Sequence, residues 1–280
     1  MLKNRILSGL LMGALLISAA VWLPPFHLGI LLILSALTFA AMMEFYRLLD
    51  AAKIGNYKFL GILFGILLLM STWSRTQADG LPDVSAVIIF LFIVSVFTRQ
   101  LAVKTTDGGF LPVAGTLLGF FYVAFMLDFM ARLLFSWGDV EGRALVIYMI
   151  IVVKSTDIGA YFIGCATGRH KLIPHISPAK SWEGCFGGIA VAVAVSVIWQ
   201  MVSRGNLGVV HFSILQAVIM GLLLSVTGII GDLMESLFKR AAAVKDSSSV
   251  IKGMGGLLDV IDSLLPAAPV LYIYAHTFLK

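Results

Sequence analysis

Cysteine and histidine are sparse in this chain, and neither clusters. Cys165 and Cys185 are the only cysteines, too few and too widely spaced for a zinc or iron–sulfur centre. They read as small packing hydrophobes facing a reducing cytoplasm, with no structural disulfide. The five histidines, His27, His170, His175, His211 and His276, never recur at ligand spacing, so nothing points to zinc chemistry. Charge is scarce as well: 12% of the 280 residues are charged, against roughly 25% in an average soluble domain. With 60% of residues hydrophobic and a mean hydropathy of +1.00, an ordinary water-soluble domain is excluded and a bilayer becomes the solvent to assume. Also missing are the alternating pattern of a transmembrane barrel and any heptad, internal repeat or low-complexity tract.

What is present is a series of long apolar runs. A spanning helix needs about 20 mostly apolar residues, and nine segments meet that rule: 5–24, 27–48, 57–74, 84–103, 110–135, 143–166, 184–204, 210–235 and 256–279. Backbone amides cannot stay unpaired in hydrocarbon, so each segment is expected to be helical. The expected fold is therefore all-α, a polytopic membrane protein of about nine spans. Lys3 and Arg5 precede a first run that continues through Trp22-Leu23, which favours an uncleaved anchor over a signal peptide. With the N-terminus placed inside, fourteen basic residues fall in inner loops and four outside, namely Arg75, Arg143, Arg204 and Lys280. This bias predicts a cytoplasmic N-terminus and a C-terminus on the far side. Spread over short loops, the basic excess behind the pI of 9.2 does not form a nucleic-acid patch; it suits anionic lipid headgroups.

Polarity divides the chain into an N-terminal scaffold, 1–140, and a C-terminal part, 141–280, that carries the chemistry within one membrane domain. In the first part, Asp128 and Arg132 are four apart and read as a helix-face ion pair, while Glu44, near a cytoplasmic helix end, reads as a carboxylate reaching interfacial water. In the second, Lys154, Asp157, Glu183, Asp232, Glu235, Asp259 and Asp262 all lie inside or at the ends of spans. Such residues are costly in lipid and usually functional.

The eighth span is expected to continue as helix through 231–240. Three- and four-residue spacing then puts Asp232, Ser236, Lys239 and Arg240 on one face, offering a carboxylate, a hydroxyl and two cations. After Lys245-Asp246 and three serines comes Gly253-Met254-Gly255-Gly256, a stretch too flexible for helix whose backbone amides suit phosphate oxygens. The ninth span opens with Asp259 and Asp262, three apart on one face. Two such carboxylates need a counter-ion, and hard Mg²⁺ takes oxygen donors together with substrate phosphates. Carboxylates for metal, cations for phosphate and a glycine-rich loop point to phosphoryl or nucleotidyl transfer at the cytoplasmic membrane boundary.

The ordered residues Ser236-x-x-Lys239-Arg240-x4-Lys245-Asp246-Ser247, then Gly253-x-Gly255-Gly256-x-x-Asp259-x-x-Asp262-Ser263, resemble the C-terminal signature of phosphatidate cytidylyltransferases, or CDP-diglyceride synthases. An upstream block is also similar to that family: Asp157-x-Gly159-Ala160-Tyr161, Gly168-Arg169-His170-Lys171-Leu172 and Ser177-Pro178-x-Lys180-Ser181-x-Glu183-Gly184. The resemblance implies synthesis of CDP-diacylglycerol and pyrophosphate from CTP and phosphatidate, with Mg²⁺ and a monovalent cation such as K⁺, in a homodimer of the inner membrane. It implies Asp232, Ser236, Asp259 and Asp262 as metal ligands. Lys239, Arg240, Lys245 and Lys180 become phosphate-holding groups, Asp246 orients the loop, and Asp157, Glu183, Lys252, Gly253, Gly255 and Gly256 lie with the substrates. Lys252, Met254 and Val260 stand where the family usually has Pro, His and Arg, and Lys252 is expected to supply charge in place of that Arg.

Other readings of the same residues are structural. Ser177 before Pro178 suits the start of a helix turn, Ser181 with Glu183 a helix cap, and Asp157 with Lys154 an ion pair. A CTP-dependent lipid kinase and an ion-coupled transporter are the alternative functions. The Asp-Gly-x-x-Ala-Arg opening of CDP-alcohol phosphotransferases is not in the chain.

Overall fold

A computed structural model describes residues 27–77, 82–104, 108–137, 139–207, 210–244 and 256–279. In chain order the helices are α1 (His27–Ala51), α2 (Lys58–Gln77), α3 (Ser85–Leu101), α4 (Phe110–Gly119), running through a π-helical stretch (Phe120–Phe125) into α5 (Met126–Ser136), and α6 (Asp139–Thr167). A hairpin of β1 (Lys171–Ile173) and β2 (Ser177–Ser181) leads into α7 (Trp182–Val202). Two short antiparallel strands, β3 (Asn206–Leu207) and β4 (Val210–His211), precede α8 (Ile214–Ala241), and α9 (Leu258–Ile261) and α10 (Leu264–Phe278) complete the described chain.

Among the described residues, seven helical segments are long and apolar enough to cross a membrane, and Ser85–Leu101 is a shorter apolar helix. Eight of the nine predicted spans thus coincide with helix; the first, 5–24, lies outside the described residues. The chain is a multi-pass helical membrane protein. Its eighth span continues as helix to Ala241, as the spacing argument requires. Ser213 starts that helix as a capping box, its hydroxyl accepting from the Gln216 amide at 3.2 Å and its own amide donating to Gln216 Oε1 at 2.7 Å.

Two sequence expectations change. The ninth span is interrupted: a turn at Asp262-Ser263 separates α9 from α10 within Leu258–Phe278, so Asp262 sits at that turn and not in an unbroken helix. Ser177-Pro178 begins a strand and not a helix turn, because Ile173 pairs with Ser177 and Lys171 with Ser181. Proline, lacking an N–H, is tolerated at such an edge.

The chain forms two compact units. One comprises the residues up to Phe135 together with Phe238–Val260; the other comprises Ser136–Leu237 and the chain from Ile261. In the first unit Met42, Phe45, Tyr46, Leu68, Leu69, Phe92 and Phe120 are wholly enclosed, with Phe92 stacked on Phe120 at 4.1 Å between centroids. Arg132 pairs with the buried Asp128 at 2.7 Å, as expected. Thr72 donates to that carboxylate at 2.6 Å, so the charge is fully partnered. Outside the spans, burial works against the charged form of Asp83, but hydrogen bonds from Ser85 and the guanidinium groups of Arg132 and Arg75 hold its carboxyl below the usual range.

The second unit is built on α6 against α7. Added Cβ atoms at Gly184 and Gly188 would stand 2.8 Å from the Ala160 carbonyl and 2.7 Å from that of Thr156. Only glycine allows that backbone approach, the small-residue packing that membrane helices use in place of a hydrophobic drive.

Candidate active site

Within the second unit, the hairpin and α8 carry the first group of polar residues. Lys180, on β2, forms an ion pair with Asp232 of α8. The hairpin holds Lys180 there because its base is tied to α7. Ser181 caps that helix, accepting from the Gly184 amide at 3.2 Å, and the Trp182 amide donates to the His170 carbonyl at 2.9 Å. Glu183, in the first turn, accepts from the backbone of Arg169 at 3.2 Å and of His170 at 3.2 and 3.3 Å, and lies 2.6 Å from His170 Nδ1. The capping role expected of Ser181 is borne out, and Glu183 braces the hairpin that carries Lys180.

A second meeting of the upstream and C-terminal blocks lies in the same unit. Lys154 donates to Ser263 Oγ at 2.9 Å and to Asp157 Oδ2 at 3.3 Å, and Ser263 Oγ lies 3.5 Å from the same Asp157 oxygen. The expected Lys154–Asp157 pair is present, extended by a serine 106 positions beyond Asp157. Ser263 is fully enclosed and Asp262 is 4% exposed; the Ser263 amide donates to Asp262 Oδ1 at 2.5 Å. Gly231 lets α8 press against this turn, since a Cβ there would collide with the Asp262 carbonyl oxygen and stand 2.8 Å from Pro266. Asp232, Asp157, Lys154, Lys180 and Asp262 are thus placed by three local devices: a hairpin, a helix break and a glycine contact.

In the first unit, the last turn of α8 faces α9. Lys239 Nζ donates to Asp259 Oδ1 at 2.5 Å, with both side chains largely enclosed. The other oxygen, Oδ2, accepts from the amide of Gly256 at 2.6 Å, so the end of the glycine-rich stretch is tied to the acidic residue three positions later. The next two amides, of Leu257 and Leu258, donate to Glu44 Oε1 and Oε2 at 3.1 and 2.8 Å. Glu44 is 4% exposed, so the expectation that it reaches interfacial water is wrong: those two amides compensate its desolvation. Sequence reasoning missed it because a lone acid at a helix end is ordinary, and nothing local reveals a partner 213 positions away.

Of the remaining candidates, Ser236 is half-buried and Arg240 exposed on α8. Lys245, Asp246, Lys252, Gly253 and Gly255 lie outside the described residues. Among the described residues no group of three or more His, Cys, Asp or Glu could hold a metal ion. The donors named by the motifs are carboxylate and hydroxyl oxygens, the chemistry of Mg²⁺ shared with substrate phosphates and not of a self-sufficient protein cage. Two of them, Asp232 and Asp259, already face a cation. Both cysteines are free, but Cys165 is exposed and Cys185 half-buried, so the expected role as small packing hydrophobes does not hold for Cys165.

Comparison with known proteins adds the context for these motifs. The profile of the cytidylyltransferase family matches residues 3–278. A protein of Bacillus subtilis (strain 168) named phosphatidate cytidylyltransferase is 32% identical over 283 residues, covering 99% of this chain and 98% of that one. One of the same name from Haemophilus influenzae is 32% identical over 284 residues, covering 96% of each chain. Another, from Brucella suis biovar 1, is 31% identical over 284 residues, covering 99% of this chain and 94% of its own. With the match running across almost the whole length, this chain belongs to the cytidylyltransferase family.

Proposed function

We propose that the protein joins CTP to phosphatidate, releasing pyrophosphate and leaving CDP-diacylglycerol in the membrane. The observation that carries this reading is the pairing of signature lysines with signature carboxylates, Lys180 with Asp232 and Lys239 with Asp259. A group that binds a triphosphate and a lipid phosphate together must neutralise anions without trapping its own charges in permanent pairs. Lysine on a flexible stem does so by exchange: the ammonium leaves its carboxylate for a phosphate oxygen, and the carboxylate so released would be a donor for Mg²⁺.

No protein nucleophile is needed. An ionised phosphate oxygen of phosphatidate attacks the α-phosphorus of CTP, a new P–O bond forms, and the bond to the β-phosphate oxygen breaks as pyrophosphate departs. The attacking oxygen carries no proton, so no general base is assigned. Lys180, Lys239 and Arg240, with Lys245 and Lys252, hold the phosphates. Asp157, through Lys154 and Ser263, fixes the turn bearing Asp262. Glu183 keeps the hairpin in place, and Asp246 with Gly253, Gly255 and Gly256 shapes the loop. Asp232, Asp259 and Asp262, with Ser236, are the donors assigned to Mg²⁺ and to a monovalent cation such as K⁺, which supply charge neutralisation between two anions when bound. The cytoplasmic face of the inner membrane is the assigned location, because the basic loops fall on that side and CTP is cytoplasmic; a homodimer is the assigned assembly.

Purified protein in detergent with phosphatidate, Mg²⁺ and CTP labelled at the α-phosphate is expected to yield labelled lipid, abolished by chelator and restored by Mg²⁺. Label entering lipid from the γ-phosphate instead would identify a kinase and overturn this reading.

A further inference from the structure

Helix α1 belongs to the part of the sequence with least chemistry, yet two adjacent residues of it grip both sides of the Lys239–Asp259 pair within the first unit. On the lysine side, Phe45 packs edge to face on Phe238, the residue before Lys239, with ring centroids 5.2 Å apart. Tyr122, from the π-helical stretch, closes on the same ring at 5.1 Å. On the aspartate side, the Glu44 carboxylate accepts the amides of Leu257 and Leu258, immediately before Asp259. Three successive amides therefore end on carboxylates, that of Gly256 on Asp259 itself and the next two on Glu44.

The arrangement is costly for a purely space-filling helix. A carboxylate 4% exposed in a membrane protein carries a desolvation penalty that an apolar side chain in its place would not. An apolar residue could pack against α9, but it could not accept two backbone N–H groups and so could not fix the rotation of the short helix on which Asp259 rides. We propose that Glu44 is a positioning residue for the transfer reaction, acting through the backbone of Leu257 and Leu258 to hold the Asp259 carboxylate in register with Lys239. This rests on the reading of Asp259 and Lys239 as part of the phosphate and Mg²⁺ machinery. It makes no claim that Glu44 touches substrate.

Glu44→Gln is the sharpest test. It keeps the shape, but its NH₂ group meets an N–H donor, so at most one of the two backbone bonds survives. Hydrogen–deuterium exchange of the purified protein is expected to rise about tenfold or more in the peptide covering 256–261, with α2 and α6 unchanged. The Mg²⁺ concentration for half-maximal CDP-lipid formation is expected to rise about tenfold, and turnover to fall about 10- to 100-fold, the scale of a small misplacement of a reacting constellation. A general loss of structure would lower the active fraction without moving the Mg²⁺ midpoint. Unchanged exchange at 256–261, or an unchanged Mg²⁺ midpoint, overturns the proposal. Should Glu44→Gln not be recovered folded, Glu44→Asp, which keeps the charge and shortens the reach, is read by the same two quantities and the same outcomes. Asp259→Asn is measured in parallel. If it turns over like wild type, the site assignment itself fails and this inference with it; if it is inactive while Glu44→Gln behaves as wild type, only the inference fails.

Discussion

Lys180 and Lys239 both pair with an aspartate of the signature, but their surroundings differ. The side chains of Lys180 and Asp232 are each 30% exposed, while those of Lys239 and Asp259 are at 14% and 11%. Solvent screens the first pair, so its stability contribution is small, at most about 1 kcal/mol, and on the proposed reading the lysine exchanges its carboxylate for a phosphate at little cost. Lys180→Ala is therefore expected to leave the thermal midpoint within a few degrees of wild type while raising KM for CTP about tenfold, the weight of one charge-assisted phosphate contact. Lys180→Arg is expected to recover only part of that, since a planar fork does not replace a compact ammonium. Steady-state kinetics at saturating phosphatidate check both; an unchanged KM in Lys180→Ala would remove the residue from the phosphate site.

Among the elements, the contact between α8 and the Asp262-Ser263 turn allows least change. Gly231 is where a side chain would meet the Asp262 carbonyl and the Pro266 ring, so Gly231→Ala must push the turn away. The expected cost is about 1–3 kcal/mol of stability, as for other overpacked contacts, together with a fall in turnover of at least tenfold because Asp262 moves with its carbonyl. Thermal unfolding in detergent and the CDP-lipid assay measure the two effects separately. Gly184 and Gly188 serve a comparable purpose between α6 and α7, but there the consequence reaches the chemistry through the hairpin: a displaced α7 carries Ser181 and Glu183 with it, and Lys180 follows.

For the molecule as a whole, the abundant exposed apolar side chains have a bilayer explanation. Leu101 and Val202 are 85% and 80% exposed, and Phe59, Phe110 and Leu215 lie similarly open, a surface that water would not tolerate but lipid does. Only 17% of the span Trp182–Val202 is buried, against 61% of Leu258–Phe278: apart from the glycine face that meets α6, the first turns its side chains outward, while the second is largely enclosed. Orientation is testable on the native thiols. Cys165 is exposed near the C-terminal end of α6, which the distribution of basic residues assigns to the cytoplasm. In a Cys185→Ser background, a membrane-impermeant maleimide is expected to label Cys165 only after the cells are permeabilised. Labelling in intact cells would invert the topology and with it the side on which CTP is used.

The sequence by itself determined the solvent and the helical class, and it singled out the residues proposed to carry the chemistry. Long apolar runs leave the backbone no alternative to helix in hydrocarbon, and charges placed there at a cost announce themselves, as Asp232, Asp259 and Asp262 do. Local spacing also sufficed for the Asp128–Arg132 pair, the Lys154–Asp157 pair and the Ser181 cap, because their partners lie within one turn. What only the tertiary structure decided depends on contacts distant in the chain. Ser263 meeting Lys154 and Asp157, Lys180 settling on Asp232, the break that takes Asp262 out of a helix, and Glu44 closing on Leu257 and Leu258 have no signature within any window of sequence. Each is fixed by which helices pack together, and in a bilayer that choice is made by close backbone fit and by the need of every enclosed charge to find a donor.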